Sequence, residues 1–372
     1  MGTSYSWHPG ARGLRSRWPI TPALLPDELL SSWLVRAALA HGCSPESLTS
    51  TAWPGYRAFC RDIDRGMENG RLSALVKATG ITYRELSSST LQSAVQSLLG
   101  TENQYPVGVL PWILVLGCRK QFHAGGLQCC PDCMDLPDPH YVIQNRLAWH
   151  TVCPAHHVQL IDHCDHCYAA LQPALLHPGA LMSNCHQCGK GLSSFHRLPA
   201  APQALAFQML VDRSCGKPMC FGNIELCFRD WMSTARAMIT FLQTAARHPS
   251  ANVERFCEAI GFDPAWRQRT LSGLPFEYLR PGERARLLGN VVVIMQAGPE
   301  KFMEMAINAS LPESILPLPV SNAPRLLIHM ASVLTKHPRK TTSQTCHKPS
   351  HDQRQVLRMW IRLQRRVRRN DI

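Results

Sequence analysis

Apolar positions recur with helical spacing toward both ends of this chain and lose that rhythm in its middle. Leu30, Trp33, Leu34, Ala37 and Ala38 fall on one face of a 3.6-residue repeat. Pro26, Asp27 and Glu28 stand just ahead of them, which predicts a helix opening there with acids in its first turn to complement the dipole. Two stretches, Leu34–Leu48 and Leu72–Leu86, repeat one pattern thirty-eight residues apart. In each, a helix ends near a glycine (Gly42, Gly80), an apolar residue follows (Cys43, Ile81), and Ser44 or Thr82 stands where a second helix needs its N-cap. Ala38 and Val76, four residues before each glycine, suit the close packing of a helix-turn-helix-like unit. Such a unit is more often plain core than a DNA reader; as a reader, its second copy offers Tyr83 and Arg84 for contact.

Helical patterning returns at Ile224–Arg247, Asn252–Gly261 and Glu283–Ala297, with Pro281 and Gly282 marking a start, and again at Phe302, Met305 and Ala306. Gly261, inside Val253–Trp266, suggests a further helix-turn-helix-like unit. Near the end, Val356, Trp360, Leu363 and Val367 line one face of a helix while Arg354, Arg358, Arg362, Arg365 and Arg369 line another. The expected fold class is mainly α. Residues 1–24 are expected to be loosely held, 25–120 to form a helical N-terminal domain, and 121–200 a tandem zinc-ribbon region. Residues 201–335 then form a helical C-terminal domain, and 336–372 a basic linker and arginine-rich helix.

The middle is organised by metal-ligand residues instead. Cys130/Cys133, Cys153/His156, Cys164/Cys167 and Cys185/Cys188 each enclose two residues, with gaps of nineteen, seven and seventeen between pairs. That spacing lets both side chains of a tight turn reach one ion, and four such ligands close a tetrahedral zinc site. Taken in order, the pairs predict two structural ions in successive ribbons, the first held by three cysteines and a histidine and the second by cysteines alone. A RING-like cross-brace or a set of disulfides fits the spacing less well. His156 is preferred to His157 on spacing alone, and Cys129 is left as a spare thiol.

Charge and composition narrow the partners. The net charge is +13, and Lys336–Ile372 alone holds eleven Lys or Arg against two acids. Such an excess points to a polyanion, nucleic acid before membrane. The Met1–Ser6 match to a myristoylation pattern reads as chance, the start has no signal-peptide layout, and the longest apolar run, Val107–Gly117, is too short to span a bilayer. A soluble, cytoplasmic protein is expected. No phosphate loop, H-E-x-x-H or deaminase signature occurs, which predicts a protein without catalysis. Asp62 and Asp64, flanked by Arg61 and Arg65, offer a metal-dependent nuclease as the contrary reading, with ion pairing to those arginines the plainer one.

Leu25–Arg36 (LPDELLSSWLVR) resembles the opening of the TniQ family, with Leu29 where the family has serine. Arg61–Arg65, Leu72–Gly80 and Thr90-Leu91 follow in the family's order, then Leu127–Cys133, Trp149, Val152–His157 and Cys164–Cys188. The resemblance covers residues 20–195 and, more loosely, the helices to about residue 315. It implies a bacterial, nucleoid-associated target-selection protein related also to the TnsD branch, linking a target to an AAA+ transposition ATPase. Implied partners are DNA, that ATPase, and a CRISPR guide complex, a resolvase or a second copy. A zinc-supported DNA-binding regulator unrelated to transposition is the alternative.

Overall fold

The computed structural model describes residues 17–100, 108–116, 126–268, 274–316, 318 and 323–334. By contacts the chain divides into Met1–Thr335 and Lys336–Ile372. The second unit, with the predicted linker and Arg354, Arg358, Arg362, Arg365 and Arg369, lies outside the described residues, as do residues 1–16.

The N-terminal lobe is built from α1 (Leu30–Ala40), α2 (Pro45–Ala52), α3 (Asn69–Thr79), α4 (Tyr83–Ser88) and α5 (Gln92–Leu99). Both predicted helix-turn-helix-like units are present. Gly42 and Gly80 turn the chain at φ +63° and +80°, a region open to glycine because it lacks a Cβ. Ser44 accepts from Ser47 N to cap α2, and Thr82 and Glu85 form a reciprocal capping box on α4. Leu30, Trp33 and Leu34 are fully buried, each contributing about 2 kcal/mol of hydrophobic stabilisation.

Two expectations here are corrected. The acids before α1 are not in its first turn: Leu29 is the N-cap, and Asp27 has φ +56°. Glu28 is instead buried, where its carboxylate accepts from Arg36 at 2.8 Å and Ser32 Oγ at 3.0 Å. The second correction concerns Arg17–Leu24, which pack rather than trail. Trp18 stacks on Trp33 at 6.0 Å and donates its backbone N–H to Ala78, while Trp33 Nε1 donates to Pro22 O.

The C-terminal lobe comprises α6 (Pro202–Ser214), a hairpin of β3 (Met219–Phe221) and β4 (Ile224–Leu226), α7 (Phe228–Arg247), α8 (Ala251–Ile260), α9 (Pro281–Asn308) and α10 (Arg325–Val333). The helix expected from Ile224 therefore begins only at Phe228. Beyond Gly261 the chain makes a 3-10 turn, Pro264–Arg267, so the third helix-turn-helix-like unit lacks its second helix. A kink at Gly298 divides α9. The largest core cluster gathers α6, α7, α8 and α9 and draws in Leu91, Val95, Leu98 and Leu110–Leu114 from the N-terminal half.

Between the lobes lie the cysteine-rich turns, whose regular structure is β1 (Val152–Cys153) paired antiparallel with β2 (Val158–Gln159), plus short 3-10 turns. Their apolar side chains Leu127, Tyr141, Leu171, Leu192 and Phe195 pack with Leu29 and Val35 of the α1 region.

Candidate metal centre

Each ligand pair sits on the same local turn. The backbone N–H four residues after the first ligand returns to that ligand's carbonyl: Met134 to Cys130, His157 to Cys153, Tyr168 to Cys164 and Gly189 to Cys185, at 2.8–3.1 Å. This closes one turn and points both ligand side chains to its inside. The residue after the second ligand is left-handed in three of the four turns: His157 (φ +52°), Tyr168 (φ +58°) and Gly189 (φ +71°). His157 therefore carries the chain away from the turn, which gives a structural reason for preferring His156.

The turns converge as Cys130, Cys133, Cys153 and His156, and as Cys164, Cys167, Cys185 and Cys188, with all ligand atoms of each quartet within 4.8 Å of one another. The pairing is sequential, without cross-bracing. His156 Nδ1 lies 3.5, 3.3 and 3.4 Å from the sulfurs of Cys130, Cys133 and Cys153. Cys133 and Cys153 are 3.8 Å apart, and in the second quartet Cys164–Cys188 and Cys167–Cys185 are each 3.6 Å. With metal–sulfur bonds of about 2.3 Å, tetrahedral geometry sets sulfurs about 3.8 Å apart, so both cages fit zinc. Free thiols at this spacing, three in the first quartet and four in the second, perturb one another strongly. Hydrogen bonds from Cys130 and Cys133 drive the Cys153 thiol far down, whereas those involving Cys130 and Cys153 drive Cys133 far up. Burial pushes Cys164 up to about 12. A divalent cation relieves that crowding by holding the sulfurs as thiolates. Cys129 stays apart, buried and raised by desolvation, its backbone paired with Ile161.

Residues that spacing did not reveal fix the first cage against the helices. Gln208 of α6 accepts from Thr151 and Val152 N–H and donates to Val152 O at 3.1 Å. Asp212 of α6 accepts from Trp149 Nε1 at 3.0 Å and lies 3.0 Å from His150 Nε2. Arg284 of α9 is fully buried and donates to Ala148 O, His150 O and, at 2.6 Å, to Gln128 Oε1. Among the described residues no acid pairs with it directly, and burial pushes it down to about 10.

The aspartates offered for nuclease chemistry are engaged elsewhere. Arg146, fully buried, meets Asp62 at 2.6 Å and Asp64 at 3.1 Å, so their partner is this distant arginine rather than the flanking Arg61 and Arg65. Asp64 also accepts from Ser31 N at 2.8 Å and Ser31 Oγ at 2.7 Å. Of the expected DNA contacts, Arg84 is exposed, while Tyr83 donates its hydroxyl to Asn69 Oδ1 at 2.9 Å.

In this helical protein, two groups of four Cys/His ligands have the make-up of closed, structural metal sites rather than of open catalytic ones. More narrowly, residues 19–160 match the TniQ family model, from the packed N-terminal segment through the last ligand of the first cage. No curated protein matches the chain. TniQ proteins are associated with transposition in accessory roles. Among the described residues, no helix is long and apolar enough to cross a membrane.

Proposed function

We propose that this protein is a non-catalytic transposition accessory that bridges a target, either a DNA site or a guide complex, to an AAA+ transposition ATPase. The observation that carries the reading is the TniQ match, which ends on a four-ligand cage built into the same frame as the helices. Zinc is the ion the donor set favours, two per chain, in a structural role: three thiolates with an imidazole, and four thiolates, leave no open coordination position. Tyr83 and Arg84 of α4, and Arg354, Arg358, Arg362, Arg365 and Arg369 of the tail, are proposed DNA contacts, with the cytoplasm as the working compartment. A second copy, a resolvase or a guide complex are proposed further partners.

The test is retention of an AAA+ ATPase, encoded beside this protein, on immobilised target DNA. The expected result is retention that requires the protein and is lost when zinc is stripped. Retention without it, or an ATPase that ignores it in solution and on DNA, overturns the bridge. The contrary nuclease reading is disfavoured by the engagement of Asp62 and Asp64 with Arg146. Magnesium-dependent cleavage of labelled DNA that disappears in Asp64→Ala would reinstate it.

A further inference from the structure

Positive charge without firm acidic partners gathers around Tyr56, at the start of α3. Arg71 sets its guanidinium 3.7 Å from the Tyr56 ring centroid, and Arg61 approaches the same ring at 6.0 Å. Trp53 meets Tyr56 edge-on at 6.1 Å and donates Nε1 to Arg71 O at 2.9 Å, fixing ring and helix together. The hydroxyl of Tyr83 binds Asn69, two residues before Arg71, and so ties the start of α4, with exposed Arg84, to the same turn. Among the described residues, Arg61 and Arg84 make no ion pair. Arg71 shares only Glu68, at 3.3 Å, whose side chain is 64% exposed. Such surface pairs contribute at most about 1 kcal/mol and yield readily to a better anion.

We propose that Arg61, Arg71 and Arg84 form a clamp for the phosphodiester backbone of duplex DNA, organised by the Tyr56 ring. This rests on the reading above that the protein works at DNA. Arg71 covers a face of Tyr56, so the ring orders a guanidinium instead of stacking on a base, which disfavours a single strand as the ligand. Helix α4 is only six residues long, and Glu85 is locked in its capping box, placing a carboxylate where a groove-reading helix would meet phosphates. The Tyr83 hydroxyl braces α4 through Asn69 beside these arginines, and contact is by charge and hydroxyl rather than by base edge. Binding of this kind is insensitive to sequence and steeply sensitive to salt.

The experiment measures affinity of the full chain for two duplexes of unrelated sequence across a salt series. Each phosphate contact contributes about 0.9 to the slope of log affinity against log salt. The triple variant R61Q/R71Q/R84Q is expected to flatten that slope by about 2 to 3 on both duplexes, with its melting temperature unchanged. Glu68→Gln, which frees Arg71, is expected to tighten binding at low salt. An unchanged slope in the triple variant, or stronger binding to RNA or to an acidic polypeptide than to duplex, overturns the clamp and leaves the bridging function standing. Absence of duplex binding by the wild-type chain at low salt overturns both the clamp and the DNA-associated reading.

Discussion

Arg146 shows how much one side chain can determine without leaving a trace in local sequence. It lies 84 and 82 residues from its partners Asp62 and Asp64, and nothing nearby marks it as charged core. The metal ligands, by contrast, were legible because a two-residue loop must hold both members of a pair together. Arg146→Met is expected to strand two carboxylates and cost about 3–5 kcal/mol in urea unfolding. A loss below about 1 kcal/mol would show that the triad is dispensable. The same site makes stability depend on pH. Burial pushes Asp64 up to about 6, against the pull of Arg146, so the native protein keeps a proton there that the unfolded chain has released. This group's contribution is therefore full below the ordinary aspartate value of 3.8 and lost as pH rises through about 6. With metal loading held constant, the stability difference between wild type and Asp64→Asn should change across that window. A constant difference from pH 4 to 7 contradicts the assignment.

At the scale of elements, the hairpin and the kinked helix define each other. Gly222, at the tip between β3 and β4, donates to Met295 O at 2.8 Å and lies against Gly298 at the kink of α9. A Cβ on Gly222 would sit 2.5 Å from Gly298 Cα, and both glycines have positive φ. Gly222→Ala or Gly298→Ala is therefore expected to cost about 2–4 kcal/mol, combining left-handed strain with overpacking. Gly261→Ala, with φ +86° but open space around its Cβ, should cost only about 1 kcal/mol. Equal losses at Gly222 and Gly261 in thermal melts would refute the contact. Sequence patterning found α1 to α4 because glycine turns and N-caps are local signals. It missed β3 and β4 because a three-residue strand is too short to establish an alternation, and Ile224 and Leu226 sit directly ahead of a strongly amphipathic helix.

For the molecule as a whole, the order of helical segments was readable, but their grouping was not. Leu91–Leu98 and Leu110–Leu114 follow the N-terminal helices in sequence yet pack into the C-terminal core, with Trp112 against Trp149, Phe207 and Phe276. Long-range packing of this kind depends on shape complementarity, which periodicity does not encode. The first cage is bonded to α6 and α9 and the second packs with the α1 region, so removing their ions is expected to loosen both lobes. In the metal-loaded protein, Cys60, Cys215, Cys220 and Cys227, which are exposed, should alkylate quickly, while the seven cage cysteines and buried Cys257 should not. Chelation should release all eight ligands and lower the midpoint of the entire unfolding transition. Rapid labelling of the seven cage cysteines before chelation would argue against bound zinc.

Arg284 carries this coupling into mechanics. Its guanidinium is sealed among oxygens of Gln128, Ala148 and His150, and pulling it free would expose an orphaned cation to a dry interior. The start of α9 and the first knuckle therefore share a rivet. Torque that a neighbour exerts on the long helix reaches the cysteine turns with no slack to absorb it.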